Sequence, residues 1–550
     1  MNGRLRVLVW ALPPFIFLGA FYFLPLVRIL VTALGPDRLV GGGQAVLPDW
    51  RSLAAVLGFT TWQALVSTAA SLVAGLPLAW WLRDHGSRLR SVARLLLTVP
   101  FVMPVVVTAS AFVALMGPSG LLNRWLMGWF DLSAPPIQLM HTFGIIILAH
   151  VFYNTSVVVR VVSGFWSQQD RRLAAAAGTL GATAWRTLVT VEAPLVLPAV
   201  VSSGLLVFLF CFSSFGVVLI LGGLRFSTLE VAIYRQAVSY FNLPAAAVLA
   251  LVQLAVTFTA MSLYTRLQRR HAVPQQVEST ERLADGGPRT RGHWIRDGLG
   301  TAAALILVSP LAALTVQSFS VGTSEWSLVN YAGLLQGRAD SAFLASPVEA
   351  VGNSVRNALA TMVVSLVLGT GMAYTLFLMP GRAGRWLDPV FLLPLGTSAV
   401  TLGLGYIISM GPLRTSSLLV PAAHALIASP FVLRVILPAL RRLQPGLRQA
   451  SAVLGATSRQ TWWRVELPLL LPACAVASVF AFAVSMGEFG AALLIARPEH
   501  PTMPLMIFGL LGRPGLANLG QAQALSVVLM AVTGASMFAL DRLPVAIREF

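Results

Sequence analysis

Twelve apolar runs, each near or beyond the roughly twenty residues that cross a 30 Å hydrocarbon layer at 1.5 Å per residue, confine this chain to a bundle of membrane-spanning helices. They fall at residues 7–34, 61–82, 95–116, 142–164, 194–222 and 243–265, then at 297–320, 353–379, 387–411, 418–440, 468–496 and 520–540. Several hold proline (Pro100, Pro104, Pro394, Pro430), which is tolerated where neighbouring helices satisfy the freed backbone groups. Composition agrees: 57 % of the residues are hydrophobic and 11 % charged, whereas soluble domains carry about 25 % charge. The basic segment Met1–Arg6 ahead of the first run resembles the start of a secretory signal. The run itself is too long for a signal core and has no small-x-small cleavage site, so a first spanning helix is expected.

All 38 basic residues are arginine, against 20 acidic ones, for a net charge of +18. A nucleic-acid binder would gather such charge on a soluble face. Here the arginines occupy gaps between apolar runs, chiefly 83–94, 160–186, 266–296, 382–385 and 434–464. The positive-inside rule puts those gaps in the cytoplasm and with them both termini. Residues 266–296, the longest polar stretch, read as a cytoplasmic linker between two sets of six spans. Cys211 and Cys474 lie inside apolar runs and supply neither a disulfide framework nor a zinc spacing. No metal or cofactor site is expected in the chain.

The two sets are copies of one unit. A displacement of 274 positions superposes His150 on His424, Arg160 on Arg434, Gly181 on Gly455, Pro194 on Pro468, Pro198 on Pro472, Phe215-Gly216 on Phe489-Gly490 and Thr228 on Thr502. Upstream the displacement becomes 294, pairing Ser71 with Ser365, Gly75 with Gly369 and Met116-Gly117-Pro118 with Met410-Gly411-Pro412. The first copy therefore carries 20 extra residues in the loop after its third span. Two copies with equal span number and orientation pack about an axis along the membrane normal, with a path between them.

Between the fourth and fifth spans each copy has a polar segment too long for a tight turn: SQQDRRLAAAAGTLGATAWRTLVTVEAP and RRLQPGLRQASAVLGATSRQTWWRVELP. Small residues, then Leu-Gly-Ala, then a helical stretch ending at proline predict two short helices bent at a glycine, a shape that seats in a groove on a soluble partner. These segments resemble the EAA loops of ABC-importer permeases. The positions that match are Ala175, Ala176, Ala177, Gly181 and Pro194 in one copy, and Gln449, Ala450, Ser451, Gly455, Leu467 and Pro468 in the other. Both lack the glutamate of the motif, replaced by Ala175 and Gln449, and Ala193 stands where its leucine would be. With no lysine the chain cannot form a Walker A loop. The resemblance implies an all-α polytopic membrane protein with two six-helix ABC type-1 permease modules in a single copy of the chain. It also implies two separate ATPase subunits holding ATP and Mg, and an extracytoplasmic solute-binding protein, in a bacterial inner membrane. The expected division is 1–54 first span and outer loop, 55–265 first module, 266–296 linker, 297–350 seventh span and outer loop, and 351–550 second module.

Further segments are most similar to thiamine permeases, and next to ferric-ion permeases: HVFYNTSVVVRVV (150–162), CFSSFGVVLILGGLRFSTLEVAIYRQA (211–237), SMGEFGAALLIA (485–496) and PTMPLMIF (501–508). The similarity covers about Leu65–Tyr264 and Val355–Leu540. Glu488 reads as the one acidic residue well inside a span, positioned either to attract an organic cation or to bond a neighbouring helix. Phe212, Phe215, Phe489 and Tyr153 offer ring faces for such a cation, with Asn154, Ser213 and Ser214 as polar company on the path. Arg160 and Arg434 read as snorkelling anchors, and His150 and His424 as helix-packing residues. A major-facilitator carrier also has twelve spans and a central linker. It lacks two long fourth-to-fifth loops, and the Arg83–Arg90 stretch is a residue short of its second-to-third loop pattern. A membrane transferase would need clustered carboxylates, whereas the acidic residues here are scattered.

Overall fold

The computed structural model describes residues 3–35, 49–83, 88–271, 291–321, 325–335, 345–379, 381–443 and 445–542. The first half runs α1 (Gly3–Leu18), α2 (Leu24–Leu34), α3 (Trp50–Leu82), α4 (Arg88–Val102), α5 (Val105–Met116), α6 (Leu121–Phe130) and α7 (Phe143–Ser167). It continues through α8 (Arg171–Thr179), α9 (Ala184–Thr187), α10 (Ala193–Phe212), α11 (Gly216–Leu221), α12 (Leu229–Tyr234) and α13 (Leu243–His271). The second half opens with α14 (Arg291–Ser318), the two-residue antiparallel strands β1 (Ser320–Val321) and β2 (Glu325–Trp326), and α15 (Val329–Leu335). Then come α16 (Pro347–Leu378), α17 (Arg382–Leu392), α18 (Ala399–Ser409), α19 (Leu419–Arg442), α20 (Pro445–Val453) and α21 (Ser458–Thr461). The chain finishes with α22 (Leu467–Gly487), α23 (Gly490–Ile495), α24 (Met503–Leu511) and α25 (Leu516–Arg542). The middle of the expected linker, residues 272–290, and the loop at 84–87 lie outside the described residues.

Among the described residues eleven helices are long and apolar enough to cross a membrane. Counting as one span the α17 and α18 segments, which bend by 92° at their junction, gives twelve. Four of the continuous spans expected from hydropathy are broken. The run 95–116 divides at Pro104, which has no N–H for the preceding turn and stands extended, with ψ 142°, between α4 and α5. Its counterpart 387–411 divides through the 3₁₀ turn Leu393–Gly396. The runs 194–222 and 468–496 stop at Phe212 and Gly487, and the chain turns before the short helices α11 and α23. Those breaks are tertiary in origin. Gly216 is pressed so closely that a Cβ there would lie 2.8 Å from Val105 and 3.2 Å from Phe489. The 20 extra residues of the first half form α6 and the loop leading to α7.

Each half packs as its copy does. α3 lies along α7 and α16 along α19, in contact at Gly75 against Val158 and at Gly369 against Val432. A Cβ at these glycines would approach the valines to 2.7 and 2.5 Å, so only glycine allows the two backbones this close. The first helices, however, cross over. α1 lies on α16 and α2 on α18, while α14 lies on α4 and α5. The Tyr22 hydroxyl bonds Thr397 Oγ1 at 2.8 Å, and Tyr406 Oη donates to the Phe21 carbonyl at 2.9 Å. On the other side Trp81 Nε1 and Arg90 donate to Asp297 Oδ1 at 2.9 and 3.0 Å, an almost fully buried cluster. In a medium without water to compete, such bonds and close apolar packing hold the halves together.

Candidate functional site

The two polar loops fold alike. In the first, Asp170 caps α8 by accepting from the Arg172 amide at 2.9 Å. The helix ends where the amides of Ala182 and Gly181 return to the carbonyls of Ala177 and Gly178, both at 3.0 Å. In the second, Ala456 and Gly455 return to Ser451 and Ala452 at 2.9 and 3.0 Å. This is the Schellman arrangement, whose C′ residue must be left-handed. Gly181 has φ +81° and Gly455 has φ +77°, with open space where a Cβ would project. Ala175, Ala176 and Ala177 lie on α8, and Gln449, Ala450 and Ser451 on α20. Pro194 and Pro468 stand at the start of α10 and α22, directly after a helical turn with which each is continuous, so their missing N–H takes one donor from the helix there. Each bend thrusts large apolar side chains outward: Leu180 is 89 % and Trp185 73 % exposed, Val453 87 % and Leu454 86 %. Exposed apolar side chains gathered on one turn form a patch of the kind that interaction sites carry.

A feature beyond the sequence reading anchors these elbows. Between each elbow and its following span lies a single π-helical turn, Leu188–Glu192 and Trp462–Glu466, at equivalent positions of the repeat. It ends on a glutamate directed at the spans. Glu192 is bound by Arg83 at the end of α3 and by Trp166 Nε1 at 3.2 Å. Glu466 accepts from Tyr374 Oη at 2.5 Å and pairs with Arg448 at 2.6 Å. Arg448 belongs to α20, so the second elbow is tied to its own span. Ala174 holds the equivalent place in α8 and carries no charge. Phe377 replaces Arg83 in the second copy, and the Arg448 guanidinium lies 4.5 Å over its ring. Trp10 of α1 stacks on Tyr374 at 4.3 Å and so joins the cluster from the far half. The signal was present in the sequence as VEAP and VELP in one register.

At the breaks after α10 and α22 the halves meet. Phe215 and Phe489, equivalents in the repeat, stack at 5.7 Å, flanked by Tyr234 at 5.6 Å from Phe215 and Phe508 at 5.4 Å from Phe489. Both members of the pair are buried. Ser214 and Glu488 immediately precede them and each is held by the histidine of its own copy. His150 bonds Ser214 Oγ at 2.8 Å and Ser67 Oγ at 2.9 Å, and His424 Nε2 lies 3.2 Å from Glu488. Glu488 also accepts from the Ala491 and Ala492 amides at 3.0 and 3.1 Å, capping α23. One expectation is corrected here: His424 has carboxylate company, its Nε2 facing Glu488, in addition to its place in helix packing. Glu230 on α12, between the expected spans, is buried as well and accepts from Gln253 Nε2 at 2.5 Å.

The remaining path candidates do not converge on the ring pair. Tyr153 Oη donates to the Met103 carbonyl at 3.0 Å, at the break between α4 and α5. Asn154 Nδ2 donates to the His150 carbonyl at 2.9 Å and to Cys211 Sγ at 3.2 Å. Phe212 packs on Phe208 at 5.7 Å within α10, and the half-buried Ser213 closes that helix through its amide. Arg160 is exposed, and Arg434 lies 3.7 Å from Asp388.

Residues 71–273 and 365–543 match the family described as binding-protein-dependent transport system inner membrane component. The thiamine transport system permease protein ThiP of Salmonella typhimurium (strain LT2) is 28 % identical over 494 residues, covering 87 % of each chain. ThiP of Brucella suis is 27 % identical over 514 residues, 91 % of this chain and 89 % of the relative. A third relative, from Salmonella typhimurium and named provisionally as the 2-aminoethylphosphonate transport system permease protein PhnV, is 30 % identical over 264 residues. That alignment covers 94 % of PhnV but 45 % of this chain. With two matches to one permease family on either side of its centre, and two elbows built alike, the chain belongs to the binding-protein-dependent transport system inner membrane components, as two permease modules fused in one polypeptide.

Proposed function

We propose that this chain is the complete transmembrane path of an ATP-driven importer for thiamine or its phosphates. The observation that carries the reading is the pair of elbows, each with a left-handed glycine and an exposed apolar tip, at equivalent places in a duplicated unit. One ATPase subunit seats on each elbow, so that one copy of the chain serves two of them. The arginine-rich gaps and both termini face the cytoplasm, in keeping with the charge bias. The positions matched to the EAA motif, from Ala175 to Pro194 and from Gln449 to Pro468, form the docking surface, and ATP and Mg are held by the partner.

An extracytoplasmic binding protein delivers the ligand to the opposite face. The stacked Phe215 and Phe489 are the closure between the modules, and ATPase closure, drawing the elbows together, rocks them apart. Of the residues named for the path, Ser214 and Glu488 brace the ring pair directly, each held by the histidine of its own module, while Tyr153, Asn154, Phe212 and Ser213 fix the helices around it. The thiamine assignment is supported by relatives of that name along most of the chain and by an interior rich in aromatic faces suited to an organic cation. The test is reconstitution of the purified complex with binding proteins loaded with thiamine, thiamine phosphate or ferric ion. We expect ATPase stimulation and uptake with the thiamine forms alone. Stimulation by the ferric form alone overturns the substrate, and ion-gradient-driven uptake without any ATPase overturns the class.

A further inference from the structure

The two halves differ at one place where the repeat makes the comparison strict. In the second half Asp388 of α17 faces Arg434 of α19 at 3.7 Å. In the first half the equivalent positions are Arg94 of α4 and Arg160 of α7, since α4 and α17 begin at equivalent residues, Arg88 and Arg382. Both arginines line one cavity of about 230 Å³ between α4 and α7, several times the roughly 30 Å³ that a water occupies in the liquid. Among the described residues no carboxylate lines it. Two like charges thus share a space that, in the other copy, holds an ion pair.

The rest of the lining follows the same logic. Thr98, Ser156, Ser163 and Ser167 face the cavity, where the second copy has Leu392, Pro430, Leu437 and Arg441. Ser156 is only 4 % exposed and its Oγ has no hydrogen-bond partner. Thr98 and Ser167 donate to backbone carbonyls of their own helices, at 2.8 and 3.0 Å, and one Arg94 nitrogen donates to the Leu82 carbonyl at 2.6 Å. That leaves the other Arg94 N–H groups, the exposed guanidinium of Arg160, and the Ser156 and Ser163 hydroxyls as donors without an acceptor among the described residues. A set of guanidinium and hydroxyl donors around a small space matches a tetrahedral oxyanion. The cavity runs along about the last three turns of α7, from Ser156 to its end at Ser167, on the elbow side of the molecule.

We propose that this cleft binds a phosphate group, which replaces the carboxylate that the second half supplies from its own chain. The phosphate comes either from an anionic phospholipid headgroup at that surface or from a free phosphorylated solute. Basic pockets between helices suit the first source, and the open mouth admits the second. The site is independent of the substrate assignment, and its test does not involve uptake.

The full chain with its partner subunits is purified in neutral detergent. It is then examined by native mass spectrometry after exchange with phosphatidylglycerol or phosphatidylcholine, and by thermal melting with inorganic phosphate or pyrophosphate. Retention of phosphatidylglycerol over phosphatidylcholine assigns the lipid source, and a rise in melting temperature with the soluble anions assigns the free one. Arg94→Asp writes into the first half the pair that the second half already has. It is expected to weaken the bound phosphate at least about tenfold while keeping the unliganded melting temperature. Arg94→Lys is expected to retain part of the binding. Failure of the wild-type complex to hold any of the probes overturns the proposal, as does binding to a normally folded Arg94→Asp complex equal to that of the wild type.

Discussion

At the residue scale, the glutamates that close the two π turns carry unequal loads. Glu192 is satisfied from the spans alone, whereas Glu466 draws one of its bonds from the elbow through Arg448. Arg448 is about a third exposed, so water screens the pair and its loss is expected to cost about 1–2 kcal/mol, below the range for fully buried ions. Thermal melting of Arg448→Ala, Glu466→Gln and the double variant measures this. The double variant should lose clearly less than the sum of the single ones, and strict additivity would show that the contact contributes nothing. Uptake should fall more for Glu466→Gln than for Glu192→Gln. None of this was read from the chain, because a glutamate next to an apolar run looks the same whether it faces water or turns inward. The partner of Glu488 was hidden for a related reason: His424 is remote in sequence, and only the fold brings the two together. The elbow glycines were legible, since a small-residue run followed by Leu-Gly-Ala has few other conformations open to it.

At the scale of the element, hydropathy found the spans and missed their breaks. A window of apolar residues scores alike through Pro104 or past Phe212, yet Pro104 stands extended between two helices and the chain is diverted by packing past Phe212. The breaks place Phe215 and Phe489 where the halves touch. The elbows show the opposite case, in which local chemistry sufficed. Gly181→Ala or Gly455→Ala forces a left-handed alanine at about 1 kcal/mol per site. With open space around each, the spans should be unaffected. We expect unchanged span melting and a several-fold loss of ligand-stimulated ATPase and of uptake, larger for valine or aspartate than for alanine. Normal stimulation in both glycine variants would falsify the docking role given to the bends.

For the molecule as a whole, the repeat predicted two equal bundles, and the crossing of their first helices was not visible in it. Apolar runs do not state which neighbour they choose. Trp10 against Tyr374, Tyr22 against Thr397 and Asp297 against Arg90 and Trp81 are contacts between distant parts of the sequence. They make each half incomplete without the other. Cutting the chain within 272–290 and expressing the pieces together should therefore give fragments that co-purify and transport. Either piece alone should be degraded or aggregate, which blotting of membranes will show. A stable first fragment on its own would mean that the crossing contributes little.

The joining of the two modules in one polypeptide has an evolutionary consequence. A transporter built from two identical permeases repeats every substitution on both sides of its axis, so neither side can specialise. Fusion removes that constraint. Arg83 could give way to Phe377 on one side, and Asp388 to Arg94 on the other, without its twin having to follow, and one gene could produce a machine with a left and a right hand.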